Sequence, residues 1–373
     1  MLSRQTLNRA LLSRQLLLQR TRLPVHDAVA HLFGLQAQAP NPPYVALWNR
    51  LEDFAPGELS QLITNRRVVR ISLMRSTIHL VTAEDCLALR PVLAASMERG
   101  LAAGYGKQLV GLDLDAVAAH GRELVEQRPL TWAELGALLA ERFPGYEAGA
   151  LAPVVRTRVP LVQVPPRGLW GSSGQAAHTS AESWLSAALA EPSAEAMVLR
   201  YLAAYGPASV RDVQAWAGVT RLKEVVERLR PRLATFRDEQ GVELFDLPDA
   251  PRPDADEPAP VRLLGEFDSV LLAHADRTRI ISDEHRRRIF TINGIIRATV
   301  LIGGSVAGMW RIERERGRAV LAVEPFSEFA ATDRDAVISE GAAAGLHRPG
   351  YGDARGPDRL RHCHLQYCAD AAG

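Results

Sequence analysis

Lysine is nearly missing from this chain. Of 44 lysines and arginines in 373 residues, only Lys107 and Lys223 are lysine. A GC-rich genome accounts for most of that bias. A functional share stays open beside it, since the arginine fork matches phosphate and guanine edges better than an ammonium does. Cysteine is equally scarce, with three residues, Cys86, Cys363 and Cys368. That excludes a disulfide framework and sets the expectation of an intracellular, cytoplasmic protein. Excess charge of one sign is also lacking, since 44 cationic and 43 acidic side chains leave a net charge of +1. Bulk charge therefore does not announce a nucleic-acid binder. No apolar run is long enough to span a bilayer, and arginines at 9, 14 and 20 interrupt the leucines near the N-terminus, so no signal-peptide core forms. Gly303-Gly304 and the stretch 171–174 lack the lysine and helix context of a phosphate-binding loop. His362-Cys363-His364 and Cys368 have the wrong spacing for a zinc site, and no metal or organic cofactor is expected.

What is present is ordinary globular material, 47% hydrophobic and 23% charged, enough for two or three core-bearing units. Leucine spacing predicts a helix over 2–20, and shorter ones over 25–33, 44–51 and 56–65. The β-branched run 68–71 and the alternating run 75–81 read as strands. Helices followed by two short strands are the order of a winged helix-turn-helix. The order returns with a helix over 114–126, a second helix announced by Thr131 and Glu134 in capping-box spacing, and strand-like pieces at 154–155 and 161–164. It returns most cleanly over 194–245. There Ser209 caps a helix that Gly218 ends, a third helix covers 221–229, and a hairpin turns at 238–241. A Pro- and Asp-rich linker, expected to be solvated and mobile, spans 248–260. Strands at 261–264, 270–272, 297–302, 309–313 and 320–323 and a helix over 333–344 follow. The expected fold is α+β, mainly α: winged-helix units at 1–110, 111–190 and 191–250, a β-rich part at 261–345, and a frayed tail at 346–373.

One polar break stands out, Leu35-Gln36-Ala37-Gln38-Ala39-Pro40. Gly34 can end the preceding helix and Pro40 pushes Ala39 towards extended backbone. Residues two apart on extended chain face the same way, so Gln36 and Gln38 would present two neutral amides side by side, with Leu35 and Ala37 turned inward. Such a pair can bind and orient a water without carrying charge.

The segment resembles the glutamine–aliphatic–glutamine motif of the AlkZ-type bacterial DNA glycosylases. Further segments resemble that family in the same order: Met74-Arg75-Ser76-Thr77-Ile78-His79-Leu80-Val81, Pro165-Pro166-Arg167-Gly168-Leu169-Trp170-Gly171, Tyr201-Leu202-Ala203-Ala204-Tyr205-Gly206-Pro207-Ala208-Ser209, and Phe267-Asp268-Ser269-Val270-Leu271-Leu272 with Asp276-Arg277-Thr278-Arg279. The related AlkX/YcaQ branch tends to carry Asp where this chain has Gln38. The resemblance therefore implies the branch found beside genotoxic antibiotic pathways, a clamp of three winged helices, and removal of bulky alkylguanines from double-stranded DNA as self-resistance. Alkylation at N7 makes the guanine cationic, so it departs neutral and needs no general acid. A glutamine oxygen can hold the attacking water and face the developing sugar cation. On this reading Gln38 positions the water and Gln36 shares that work or stabilises the sugar.

Other residues divide between functional and structural readings. Arg75 and His79 would lie on one face of a strand near the first wing, as a buried pair or facing DNA, and His79 could instead line the lesion pocket. Arg277, Arg279, Arg286, Arg287 and Arg288 form the densest basic cluster and are expected to contact phosphates. Trp310-Arg311 follows the Gly303-Gly304 turn, where the tryptophan either joins the core or enters a groove with the hairpin tip. The acidic pairs Glu52-Asp53 and Glu84-Asp85 read as a solvated turn and a helix start. A monomeric, monofunctional glycosylase is expected, without lyase activity because neither lysine is near the motif in sequence. A bulky adduct makes extrusion costly, which favours recognition without base flipping. Two alternatives stay open: a non-catalytic winged-helix regulator, and a general alkylation-repair glycosylase of the AlkX kind.

Overall fold

The computed structural model describes residues 1–315, 318–343 and 363–367, without the side chains of 314–319 and 363–367. The chain begins with α1 (Arg4–Arg14), α2 (Val25–His31), β1 (Leu35–Gln36), α3 (Pro42–Arg50), α4 (Pro56–Thr64), β2 (Val68–Ser72), β3 (Ile78–Thr82) and the long α5 (Ala83–Tyr105). It continues through α6 (Leu114–Gln127), β4 (Leu130–Thr131), α7 (Trp132–Arg142), α8 (Ala148–Arg158), β5 (Leu161–Val164), β6 (Ala177–Ser180) and α9 (Ala181–Leu185). Next come α10 (Ala194–Tyr205), α11 (Val210–Ala217), α12 (Lys223–Leu229) and the hairpin β7 (Ala234–Arg237) and β8 (Glu243–Asp246). The remainder is β9 (Arg262–Leu264), α13 (Asp283–Ile289), β10 (Thr299–Ile302), β11 (Ser305–Glu315), β12 (Arg318–Pro325), α14 (Ala331–Ala343) and β13 (Cys363–Tyr367).

Local chemistry sets many of these ends. Thr131 and Glu134 form the expected capping box on α7, and Ser209 with Asp212 forms one on α11. Ser193 caps α10, and Thr82 accepts from the Asp85 N–H at the start of α5, with Glu84 and Asp85 in the first turn where the helix dipole favours them.

Six strands form one sheet in the order β1-β3-β2-β5-β6-β4. The antiparallel pairing of β2 with β5, Arg70 opposite Gln163 and Ile71 opposite Val162, carries this sheet across the expected boundary near residue 110. The first two units are therefore joined by backbone hydrogen bonds. One core of α2, α3 and α4 packs on Leu35, Ala37, Val68 and Leu80. On the other face Val69, Ile71, Val81 and Val162 join a larger core that runs through α5, α10, α11 and α12 to Leu271 and Ile281. A separate core fills α6, α7 and α8, and a fourth lies under the sheet β13-β12-β11-β10-β9.

Several expectations change. Val154 and Val155 belong to α8, where an apolar pair sits fully buried among helices instead of in a strand. The run 270–272 is not a strand: Val270 and Leu271 belong to a short 3-10 turn, Ser269–Leu271, that Leu272 ends, and their apolar character comes from burial. The linker 248–260 has no regular element but is tied down: Arg14 donates to the Pro251 carbonyl at 3.1 Å and Arg252 meets Asp246 at 2.6 Å. Within the expected tail, β13 pairs parallel with β12. The remainder of that tail, including His362 and Cys368, lies outside the described residues, as do the side chains of Cys363 and His364.

Candidate active site

The Gln-x-Gln segment sits at the edge of the six-stranded sheet. Gly34, at φ +88°, turns the chain out of α2 against β3, where an added Cβ would lie 2.7 Å from Val81 Cγ1. Two residues then pair with β3, Leu35 opposite Leu80 and Gln36 opposite His79. Leu35 and Ala37 are buried on one face, as the alternation predicts. Gln36 and Gln38 take the other, Gln36 nearly covered and Gln38 exposed.

Each amide is oriented by a donor. Arg75 Nη2 donates to Gln36 Oε1 at 2.8 Å, and the backbone N–H of Ile78 donates to Gln38 Oε1 at 3.2 Å. A guanidinium and a backbone N–H only donate, so the oxygen of each amide must face them. One acceptor site on each oxygen and both N–H groups of each Nε2 remain to meet water or substrate.

Arg75 is not on a strand. It sits at φ +54° in a tight 3-10 turn, Met74–Ser76, that closes the β2–β3 hairpin, and Ser76 is also left-handed at φ +58°. From there its Nη1 donates to the Trp216 carbonyl, in the last turn of α11. Removal from water pushes its pKa down to about 10, which keeps it charged at neutral pH. One guanidinium thus links the third helical unit to the motif.

His79 is buried, and its Nδ1 lies 3.0 Å from the Thr77 carbonyl. The carbonyl can only accept, so Nδ1 carries the proton and Nε2 is left as an acceptor. Burial, helped by the Arg75 guanidinium, pushes the His79 pKa down to about 3. The imidazole beside Gln36 is neutral at every physiological pH. His178, in β6, is likewise lowered to about 4, chiefly by burial.

These two histidines make stability depend on pH. In the unfolded chain both take up a proton near pH 6.5, whereas the native state resists until about pH 3 to 4. Stability therefore falls as pH drops below about 6.5. At about pH 5.5 each histidine costs about 1.4 kcal/mol relative to neutral pH, close to 3 kcal/mol together. Urea unfolding at about pH 7.5 and 5.5 measures this, and equal midpoints would contradict the neutral buried state.

A family model described as "DNA glycosylase AlkZ-like" matches residues 29–346. This chain belongs to that family. It is 26% identical to a curated relative, the interstrand DNA cross-link repair glycosylase of Streptomyces sahachiroi, over 90% of this chain and 95% of the relative. The solved structure of Streptomyces sahachiroi DNA glycosylase AlkZ has the same fold, with a TM-score of 0.76 at 22% identity and 98% of each chain covered. The AlkZ-like chain is an enzyme, a DNA glycosylase, and DNA is its substrate. Among its described residues no helix is long and apolar enough to cross a membrane.

The AlkZ-like fold brings Gln36, Gln38, Arg75 and His79 together and sorts the remaining candidates. Arg75 is half-buried and engaged by Gln36 and Trp216, so it acts inside the protein instead of on a strand facing DNA. Arg279 is buried and donates to the Pro207 carbonyl at 2.9 Å, which removes it from any phosphate contact. Trp310 is 4% exposed and its indole N–H donates to the Leu264 carbonyl at 2.8 Å, so it is a core residue and not a groove wedge. The Gly303-Gly304 turn is covered by α1, with Asn8 donating to the Gly304 carbonyl at 2.8 Å. Arg311 is exposed and paired with Glu313 at 2.5 Å. Arg277 is half-buried, its guanidinium 4.8 Å from the Phe290 ring centroid. Arg286, Arg287 and Arg288 project from the last turn of α13, where Arg288 also meets Glu324 at 2.9 Å.

Proposed function

We propose that this glycosylase hydrolyses the N-glycosidic bond of N7-alkylguanine in duplex DNA, acting on bulky genotoxin adducts or interstrand crosslinks in a self-resistance role. The reading rests on one observation: the motif offers two neutral amides, oriented by a guanidinium and a backbone N–H, beside an imidazole that stays uncharged. Such a site supplies neither a general acid nor a strong base. It suits a leaving group that already carries positive charge. The C1′–N9 bond breaks, the electron pair neutralises the alkylguanine, and the sugar takes on cationic character. Water held by the open side of Gln38 Oε1 adds to C1′ and gives its proton to solvent. Gln36, from beside it, faces the same developing charge. The products are a free base and an abasic site, and no cofactor or partner subunit is required. The exposed Arg286 and Arg287 of α13 are assigned to phosphate contact, and their truncation would weaken binding more at low salt than at high salt. The crosslink-repair name of the Streptomyces sahachiroi relative supports the bulky or crosslinked substrate.

Incubation with three duplexes tests the reading: one with N7-methylguanine, one with a bulky N7 adduct, and one with an N7–N7 crosslink. Release of intact modified base, strongly biased to the larger lesions, is the expected result. Comparable release of the small base would instead make it an alkylation generalist, and no release from any duplex would end the proposal.

A further inference from the structure

Arg70 lies behind the motif, on the opposite face of the sheet from the two amides. Its neighbours across the pairing register are Leu80 and Gln163. It is 2% exposed, yet its hydrogen bonds go to neutral groups: the Ala37 carbonyl at 2.8 Å, Gln163 Oε1 at 3.1 Å and the Ala39 carbonyl at 3.5 Å. An arginine at this depth without a carboxylate is costly to bury. By contrast Arg14 and Arg50, equally buried, each meet an aspartate.

The bond to Ala37 alters the end of the β1–β3 ladder. Continued register would place Ala37 opposite Ile78, and in an antiparallel hydrogen-bonded pair the two residues exchange both bonds. The first is made, from the Ala37 N–H to the Ile78 carbonyl at 2.7 Å. The return bond is replaced. The Ala37 carbonyl accepts from Arg70, and the Ile78 N–H goes to Gln38 Oε1 at 3.2 Å. We infer that Arg70 is a positioning residue for base excision: by occupying the Ala37 carbonyl it keeps the Ile78 N–H for the Gln38 amide and so fixes that amide at the sheet edge.

The segment 165–171 keeps Arg70 in place. Gly168, at φ +96°, passes so close that an added Cβ would lie 2.5 Å from Arg70 Cδ, and its carbonyl accepts from the Tyr44 hydroxyl at 2.7 Å. Without Arg70, the Ile78 N–H can close the ordinary ladder bond to Ala37, and Gln38 loses its anchor. Arg70 does not touch substrate.

The inference depends on Gln38 acting in catalysis, and a double-mutant cycle separates the two claims. Single-turnover base release from the best of the modified duplexes is measured for wild type, Arg70→Met, Gln38→Ala and the double variant, with DNA affinity and thermal midpoint alongside. Arg70→Met is expected to slow release roughly 30-fold, within the range a misplaced catalytic group can cause, with affinity unchanged. In the Gln38→Ala background the same substitution should have no further effect. Gly168→Ala, which displaces Arg70 without removing it, should reproduce that pattern if Arg70→Met folds poorly. In the folded single variant the Ile78 amide should change its hydrogen-exchange rate and proton shift. Slow release by Gln38→Ala with normal release by Arg70→Met and Gly168→Ala, or equal slowing by Arg70→Met in both backgrounds, overturns the inference alone. Normal release by Gln38→Ala removes Gln38 from the proposed mechanism and overturns this inference with it, while the substrate assignment stands on the release from the modified duplexes.

Discussion

Gln38→Ala protein is expected to bind modified duplex normally and to release base about 10²- to 10³-fold more slowly than wild type, the range seen when one preorganised polar group facing developing charge is removed. Gln38 is the exposed member of the pair, so its truncation strands only the Ile78 N–H, whose bond lies at an exposed edge where water can replace the amide. Stability should therefore change little, and the loss should appear in the rate at saturating enzyme. Gln36→Ala differs in kind. Gln36 is nearly buried and its oxygen receives the Arg75 guanidinium, so its removal frees a charged side chain beside the site. Its effect on rate should come with a loss of thermal stability. Gln38→Glu is also informative. It places a carboxylate oxygen near the same water, and the mechanism above asks for an acceptor and not for a neutral group as such, so substantial activity should survive. Release by Gln38→Ala within about threefold of wild type would remove Gln38 from the chemistry.

Much of the site was legible because it depends on local rules. Gly34, Pro40 and the two-residue period were enough to place Gln36 and Gln38 on one face. Capping chemistry placed α7 and α11. What was missed depends on long-range contacts. The alternation at 75, 77 and 79 reads as a strand, but the chain needs two consecutive left-handed residues at Arg75 and Ser76 to turn the hairpin, and sequence gives them no signature such as Asn-Gly. Arg279 and Trp310 look like surface candidates in isolation and are buried by neighbours far away in sequence. Arg70 did leave a signal, a charged residue inside the apolar run Val68-Val69-Arg70-Ile71. Its meaning required the positions of Ala37, 33 residues before it, and of Gly168, far beyond it in the chain. The helix start read at Glu84-Asp85 opens the long α5, which runs on through Pro91 inside it.

The largest stability effect is expected at Asp268, in one of the segments that resemble the family. Arg50 is fully buried in the last turn of α3, and its guanidinium makes a two-pronged pair with Asp268, both bonds 2.9 Å. Its remaining bonds reach the Gln15 and Ala46 carbonyls, each at 2.9 Å. Asp268 in turn accepts from the Val270 N–H at 3.2 Å and starts the turn Ser269–Leu271, which packs into the largest core. The pair therefore bolts the motif-bearing N-terminal helices to the C-terminal part. Asp268→Ala leaves an uncompensated cation with no route to water, and should lower unfolding free energy by about 3–5 kcal/mol. Replacing both partners by apolar residues, Arg50→Met with Asp268→Leu, removes the stranded charge and should recover much of that loss. Asp268→Asn should fall between, since it keeps the shape and one acceptor for Arg50. Urea midpoints for the four proteins decide the matter. A loss below about 1 kcal/mol for Asp268→Ala would mean that water reaches Arg50 and that the pair is not the bolt described. If base release per folded molecule is also unchanged in Asp268→Asn, the role of this segment is architectural, and the chemistry stays with the amides at the sheet edge.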